Sequence, residues 1–438
     1  MKCCSRLLLR SIIWTPWILL LVLVPEVLWA VDISDSPLEI AVTGPEPALV
    51  LIVDNSGSMD CEFMTPQAHG LFNGYYYLFP DSAYDPRADH VHGPGCALSA
   101  ERRRLWQSQW SGYNRVYYTP EEVYSPWPST SRYRFDPSNL HRPRSGAAAA
   151  ALSDPKLVLA GPFLHVNAMN GPLTIINAHY YTLLDKNGNG RWDEAEEKIY
   201  LVTWQDADGD GLVDLSGDLA KDCRRYFCVM DDGDGSIEDN ELIAENERAV
   251  IDAIRPTVTD NSGMAVRFAT DREELQNFAN WVTYYRRRSQ TAIAIAAKFI
   301  LHAGADNVGL YAINGRPRVP VRSFGTDGTL SDSGHGTERS DALLDALYAM
   351  QVGGESALRD ALDQVGRYFH RYLDSPLGPS PILEADRGGS CQQAAAILIS
   401  DGFMNGNDPG VGNADKGSGF PYADSWSETL ADVAMHYH

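Results

Sequence analysis

The chain has 438 residues, of which 44% are hydrophobic, and a formal charge of −22. At roughly 150 residues per domain there is room for two or three domains with an ordinary buried core. The acidity excludes a nucleic-acid partner, which would need Lys and Arg patches, and suits cation binding or plain solubility.

In chain order, the first element is a targeting segment. Lys2, Arg6 and Arg10 precede an apolar run from Ile12 to Leu28, and Leu28-Trp29-Ala30 ends on a small residue. Residues 1–30 therefore read as a signal peptide cleaved after Ala30, or as an uncleaved anchor helix. Either one implies an exported protein, placed in the periplasm, at the cell surface or on a surface appendage. Export permits disulfides. Among the five cysteines beyond Ala30, Cys223 and Cys228 are the expected pair, Cys61 with Cys96 is a weaker pairing, and Cys391 is the odd one out. The absence of C-x-x-C or clustered His spacing argues against a zinc site.

Residues 31–60 form an extended lead-in, a first strand and its loop. Ala48–Val53 is a continuous apolar run of the kind buried in a parallel sheet. Residues 61–270 read as a long irregular insert, rich in Tyr, Trp, Pro and Gly over 61–172 and in Asp and Gly over 185–241. A run of five alanines spans 147–151. His179–Leu184 has the look of a strand. Alternation returns over 271–438: a helical segment Glu273–His302, a strand Asn307–Ile313, helices Ser340–Met350 and Ser356–Tyr372 split at Gly353-Gly354, an apolar strand Ala394–Ser400, and a helix from Thr429 to Tyr437. Strands alternating with helices predict an α/β fold, a doubly wound, mostly parallel sheet covered on both faces.

Two kinds of oxygen-rich loop carry the chemistry. Asp54, Ser56 and Ser58 directly follow the first apolar strand, and Gly57 allows the loop to turn tightly. Open α/β sheets bind ligands beyond the carboxyl ends of their strands. Asp401 closes the second apolar strand, and Ser356 lies in the Gly-Gly-Glu-Ser loop. These five residues offer hard oxygen donors suited to Mg²⁺, Mn²⁺ or Ca²⁺.

The second kind follows the twelve-residue calcium-loop rule. Asp185, Asn187, Asn189, Arg191 (through its carbonyl), Asp193 and Glu196 fit it, with Gly190 at position six. Asp206, Asp208, Asp210, Leu212 (carbonyl) and Asp214 open a second loop that lacks the final Glu. Asp232, Asp234, Glu238 and Glu241 form a third, with Met230 where an acid belongs. Trp192, Val213 and Ile237 share position eight, where an apolar side chain anchors the loop inward. Residues 185–241 hold 17 acidic and 6 basic residues, half of the chain's net charge. Bound Ca²⁺ would neutralise and order this segment in a structural role.

The D-x-S-x-S loop, the hydroxyl loop and the Asp loop together resemble the metal-ion-dependent adhesion site of von Willebrand factor A domains. This chain has Ser356 where that family usually has Thr. Further stretches resemble the PilY-type adhesion and biogenesis factors of bacterial type IV pili: Ser36-Pro37-Leu38, Tyr113-Asn114 with Tyr117-Tyr118, Phe278-Ala279-Asn280-Trp281, Leu358-Arg359-Asp360-Ala361-Leu362, Asp401-Gly402 with Asn405-Gly406, and Leu430–Met435. The resemblance implies a secreted, non-enzymatic protein that acts in pilus assembly or tip adhesion. Its partners would be pilus subunits, or a surface ligand presenting a carboxylate. It also implies a C-terminal β-propeller, absent here, and against that family the A domain reads as cut short, with the Ala394–Ser400 strand as a bare edge: a fragment, a split gene product, or half of an assembly completed by a separate C-terminal chain. A calcium-stabilised envelope or matrix protein is the alternative. A secreted hydrolase ranks lower, since the sequence has no G-x-S-x-G elbow.

Overall fold

A computed structural model describes residues 45–66, 76–78, 98, 105–138, 157–160, 163–167, 173–177, 179–187, 192, 197–204, 224–234, 236–255, 258–259, 265–266, 271–303, 307–321, 337–419 and 423–438. The expected signal segment, most of the lead-in and the alanine run lie outside them. Glu46–His438 form one compact unit.

The organising element is β1 (Ala48–Val53), whose six residues are almost all buried. Next come three short strands, β2 (Leu157–Ala160), β3 (Phe163–Asn167) and β4 (Leu173–Asn177), forming an antiparallel sheet of their own. A second antiparallel sheet follows in simple order: β5 (His179–Leu184), β6 (Lys198–Trp204), β7 (Arg224–Val229) and β8 (Leu242–Ala244). Helix α1 (Arg248–Ile254) and a small hairpin, β9 (Val258–Thr259) with β10 (Ala265–Val266), lead to α2 (Asp271–Tyr284) and α3 (Arg288–Ala303). The chain then runs through β11 (Val308–Ala312), β12 (Arg318–Val319), α4 (Thr337–Tyr348), α5 (Leu358–Phe369), β13 (Ala394–Ile399) and α6 (Leu430–Tyr437).

The central sheet has the order β12-β11-β1-β13. β1 pairs in parallel with both β11 and β13, and β12 runs antiparallel at one edge. Because strand side chains alternate, β1 feeds two cores. Leu51 and Val53 join α2, α3 and α4 on one face, through Phe278, Ala296 and Leu347. Val50 and Ile52 meet Leu358, Ala361, Val365 and Tyr368 of α5 on the other. That covering on both faces is why the run ALVLIV has no polar alternation. At the other edge, β13 has no strand on its far side among the described residues, and Ala394, Ala395 and Ala396 are exposed. Helix α6 closes on α5 where Gly366 leaves room for the Tyr437 ring. A Cβ there would meet the ring's Cδ2 far inside van der Waals contact.

Three expectations need correction. The segment Glu273–His302 is two helices, broken at Tyr285–Arg287. Neither Pro nor Gly causes the break. Arg286 and Arg287 turn inward to the buried carboxylates of Glu62 and Asp60, and the Gln290 side chain accepts from the Arg287 N–H to start the second helix. Second, the described residues of 179–244 are not irregular. They form the β5–β8 sheet and share the main core with α2 through Tyr180, Val202 and Trp204. Helix α2 also moors the loop segment 105–138. The Trp281 indole donates to Val116 O (3.0 Å), and the side-chain oxygens of Asn277 and Asn280 accept from the Tyr124 and Ser138 N–H groups (2.7 and 2.8 Å).

Third, Cys228 is a free, buried thiol within β7. It carries no disulfide, and Cys223, its expected partner, lies outside the described residues. Cys61 is also a free thiol, pushed up to about 12 by burial, and Cys96 lies outside the described residues.

Candidate metal centre

Three chain segments meet at the carboxyl ends of β1 and β13. The first begins at Asp54, whose N–H donates to Ile399 O (2.9 Å), extending the parallel pairing by one bond. The Asp54 carboxylate is fully buried. It accepts from the Ser56 N–H (2.8 Å) and from the Ser400 hydroxyl (2.7 Å). Burial raises its carboxyl above the ordinary aspartate value, hydrogen bonds from Ser56 and Ser400 oppose the rise, and the charge on Asp401 adds to it.

The hydroxyls converge. Ser56 Oγ lies 3.1 Å from Ser58 Oγ, and Ser356 Oγ donates to Ser56 Oγ at 2.7 Å. Ser56 and Ser356 are buried, and Ser58 is partly so. The Ser356 loop is pinned from both sides. Gly57 N–H donates to Gly354 O (3.1 Å) and Gly353 N–H to Asn55 O (2.7 Å). Ser356 N–H donates to Asn405 Oδ1 (2.6 Å), and Asn405 N–H returns a bond to Ser356 O (2.9 Å). Asn55 fixes the floor, accepting from Asn314 N–H and donating to Asn314 O and Gln351 O. All five expected residues are thus brought to one edge of the sheet.

One group there was not expected. Arg288, at the start of α3, reaches into the site from beneath. Its Nη1 donates to Asp401 Oδ2 (2.5 Å) and lies 3.4 Å from Ser58 O, and its Nε donates to Phe63 O (2.6 Å). Both charged side chains of the pair are almost fully buried. Nothing local marked Arg288 in the sequence, since it is the third of three consecutive arginines. Asn55 was equally unmarked, and Asn405 was marked only as part of the Asn405-Gly406 stretch. Ser400 had one available signal, its place at the end of an apolar strand beside Asp401.

The donor set fits a hard divalent ion. It offers three hydroxyl oxygens, those of Ser58 and Ser356 each within hydrogen-bond distance of Ser56, beside a buried carboxylate whose ionisation is disfavoured, a charge that a cation would stabilise. Asp54, Ser56, Ser58 and Ser356 would hold the ion, with Asp401 close behind.

The calcium-loop residues divide. Asn189, Arg191, Asp193, Glu196, Asp206, Asp208, Asp210, Leu212 and Asp214 lie outside the described residues. Asp185 and Asn187 follow β5 directly, and Lys186 N–H donates to Glu197, a buried acid one residue beyond the expected Glu196 (3.2 Å). Trp192 and Ile237 share one core cluster with Trp106, and the Trp192 and Trp106 rings meet edge-on at 5.1 Å. Both side chains thus turn inward, and Val213 lies outside the described residues.

In the third loop the Asp232 carboxylate accepts from Asp234 N–H and the Asp234 carboxylate from Ser236 N–H. Glu238 heads the short turn at residues 239–241. The Glu241 carboxylate accepts from the Glu238 and Asp232 N–H groups (2.8 and 2.9 Å), which hold it below the usual glutamate range. Carboxylate oxygens of Asp231, Asp232 and Glu241 lie within 4.8 Å of one another. Asp231, next to Met230, thus adds a third carboxylate to Asp232 and Glu241. Its carboxylate also accepts from the Trp106 indole (2.8 Å).

Fold and site together define an α/β domain with an oxygen-donor cradle at the carboxyl edge of its sheet. Sequence comparison narrows this to relatives of one kind. The chain is similar to the type IV pilus biogenesis factor PilY1 of Pseudomonas aeruginosa strain PAK, 29% identical over 185 residues. It is also similar to the PilY1 proteins of strains PAO1, 26% over 204 residues, and UCBPP-PA14, 26% over 206 residues. The matches cover 37% to 42% of this chain and 15% to 17% of the relatives' own length. Over that stretch the chain is PilY1-like. No family model and no solved structure matches it. No helix among the described residues is long and apolar enough to cross a membrane.

Proposed function

We propose that this chain is an exported, non-enzymatic factor of type IV pilus biogenesis or adhesion, and that its sheet is a von Willebrand factor A-type domain whose ion-binding edge engages a partner's carboxylate. The observation that carries the reading is the convergence of Ser56, Ser58 and Ser356 beside buried Asp54. Strand order supports it: three parallel strands with one antiparallel strand at the edge. PilY1 similarity supports the pilus setting.

In this reading Asp54 supplies charge and the three serines orient Mg²⁺, Mn²⁺ or Ca²⁺, leaving a position for a carboxylate of a pilus subunit or surface ligand. Calcium in the Asp-rich loops is structural. In the third loop Asp231, Asp232 and Glu241 would hold it, after Glu241 releases the two amides it now caps. Calorimetric titration of Ca²⁺ and then Mg²⁺ into metal-stripped protein tests both. The expected result is one site that takes either ion and is lost in Asp54→Ala, plus further Ca²⁺-only sites that survive the substitution. Ion binding unaffected by Asp54→Ala would overturn the adhesion-site reading.

A further inference from the structure

The arginine run at the α2–α3 junction is organised residue by residue. Arg286 pairs with Glu62 (2.6 Å), Arg287 with Asp60 (2.8 Å) and Arg288 with Asp401 (2.5 Å). The first two acids belong to the segment just beyond the D-x-S-x-S loop. The third belongs to the candidate site itself. All three guanidiniums are buried, so these charges are not screened by solvent.

Both oxygens of the Asp401 carboxylate are engaged. Its Oδ2 accepts from Arg288 and its Oδ1 from the Phe403 N–H (3.2 Å). Arg288 is equally fixed, by the carbonyls of Phe63 and Ser58 and by its own N–H on Cys61 O. It thereby ties the loop after β1 to the loop after β13.

Resting on the metal-site reading above, we propose that Arg288 is a built-in counter-cation of this site. It neutralises Asp401, so that a divalent ion held by Asp54, Ser56, Ser58 and Ser356 meets one uncompensated carboxylate instead of two. Such an ion is held less tightly and keeps more of its positive charge for an incoming anionic group. Arg288 is then a positioning and specificity residue: it lowers ion affinity and raises the site's demand for a carboxylate ligand. A purely structural arginine would do the opposite, since removing it would disorder the Asp401 loop and weaken ion binding.

The sign of the change decides. Mg²⁺ and Mn²⁺ are titrated calorimetrically into the full chain and its Arg288→Gln variant, with thermal unfolding recorded for each. Losing a unit positive charge a few ångströms from the ion is expected to tighten binding on the order of tenfold or more. Unchanged or weaker binding would overturn the proposal. Should Arg288→Gln fail to fold, the double variant Arg288→Gln with Asp401→Asn removes the pair while keeping the net charge. Its affinity is expected within about threefold of the native value, because the two charges cancel at the ion. A fall to the level of Asp54→Ala overturns the proposal instead. Native protein that binds no ion sinks the site reading, and this proposal with it. Native binding that is lost in Asp54→Ala but unmoved in Arg288→Gln overturns only the role of Arg288.

Discussion

Gly354 holds the hydroxyl loop against the D-x-S-x-S loop, and substituting it tests how rigidly that junction is built. Its φ is +85°, and a Cβ there would lie 2.9 Å from both Cγ and Oδ1 of Asn314. A side chain in the left-handed region costs about 1–2 kcal/mol. The Asn314 amide cannot swing away freely, because its Nδ2 donates to Glu355 O at 2.7 Å. Displacing it forfeits that bond, about 0.5–1.5 kcal/mol, with some further strain. Gly354→Ala should therefore lose about 2–4 kcal/mol in all. Gly378 is a matched control: its φ is +94° and nothing lies within 4 Å of the added Cβ. Gly378→Ala should lose only the backbone share, about 1–2 kcal/mol. Urea unfolding followed by tryptophan fluorescence measures both, provided the slopes agree. Equal losses in the two variants would refute the steric argument at Asn314.

Two further outcomes are expected. Glu274 is completely buried, accepting from the Tyr180 hydroxyl (2.5 Å) and pairing with Arg224, and so joins α2 to the β5–β8 sheet. Glu274→Gln leaves the Arg224 charge buried without its counter-ion, and should lose about 3–5 kcal/mol in urea unfolding; a loss below about 1 kcal/mol would show that the pair is not what holds the sheet to the helix. Glu241 is held below the usual glutamate range, so its contribution to the third loop is present at neutral pH and is lost as pH falls through that lowered value. An NMR titration of the Asp232 and Glu238 amides should show one transition below the ordinary glutamate range, and a midpoint at or above that range contradicts the hydrogen bonding described.

The readable parts of the sequence were those whose physics is local. Ala48–Val53 and Ala394–Ile399 announce buried strands because a run of apolar residues with no polar alternation needs cover on both faces. Asp54, Ser56 and Ser58 could be placed because strand end and turn chemistry are both short-range. Trp192 and Ile237 were legible as inward anchors from their loop position alone. The break at Tyr285–Arg287 was not legible, because its cause is a pair of carboxylates more than 220 residues away in the chain. Met230 at the head of the third loop looked like a missing ligand, and only the folded turn brings Glu241 beside Asp231 and Asp232. The Cys223–Cys228 pairing followed from sequence proximity, whereas Cys228 is a free thiol within β7.

By itself, then, the sequence determined the alternation of strands and helices, the two classes of oxygen-rich loop and the charge that accompanies them, since periodicity and turn preference are properties of neighbouring residues. Only the tertiary structure decided which charges meet. It set Arg288 on Asp401, Arg224 on Glu274 and the 105–138 segment on α2, because a buried charge or amide takes whichever partner the packing brings within reach.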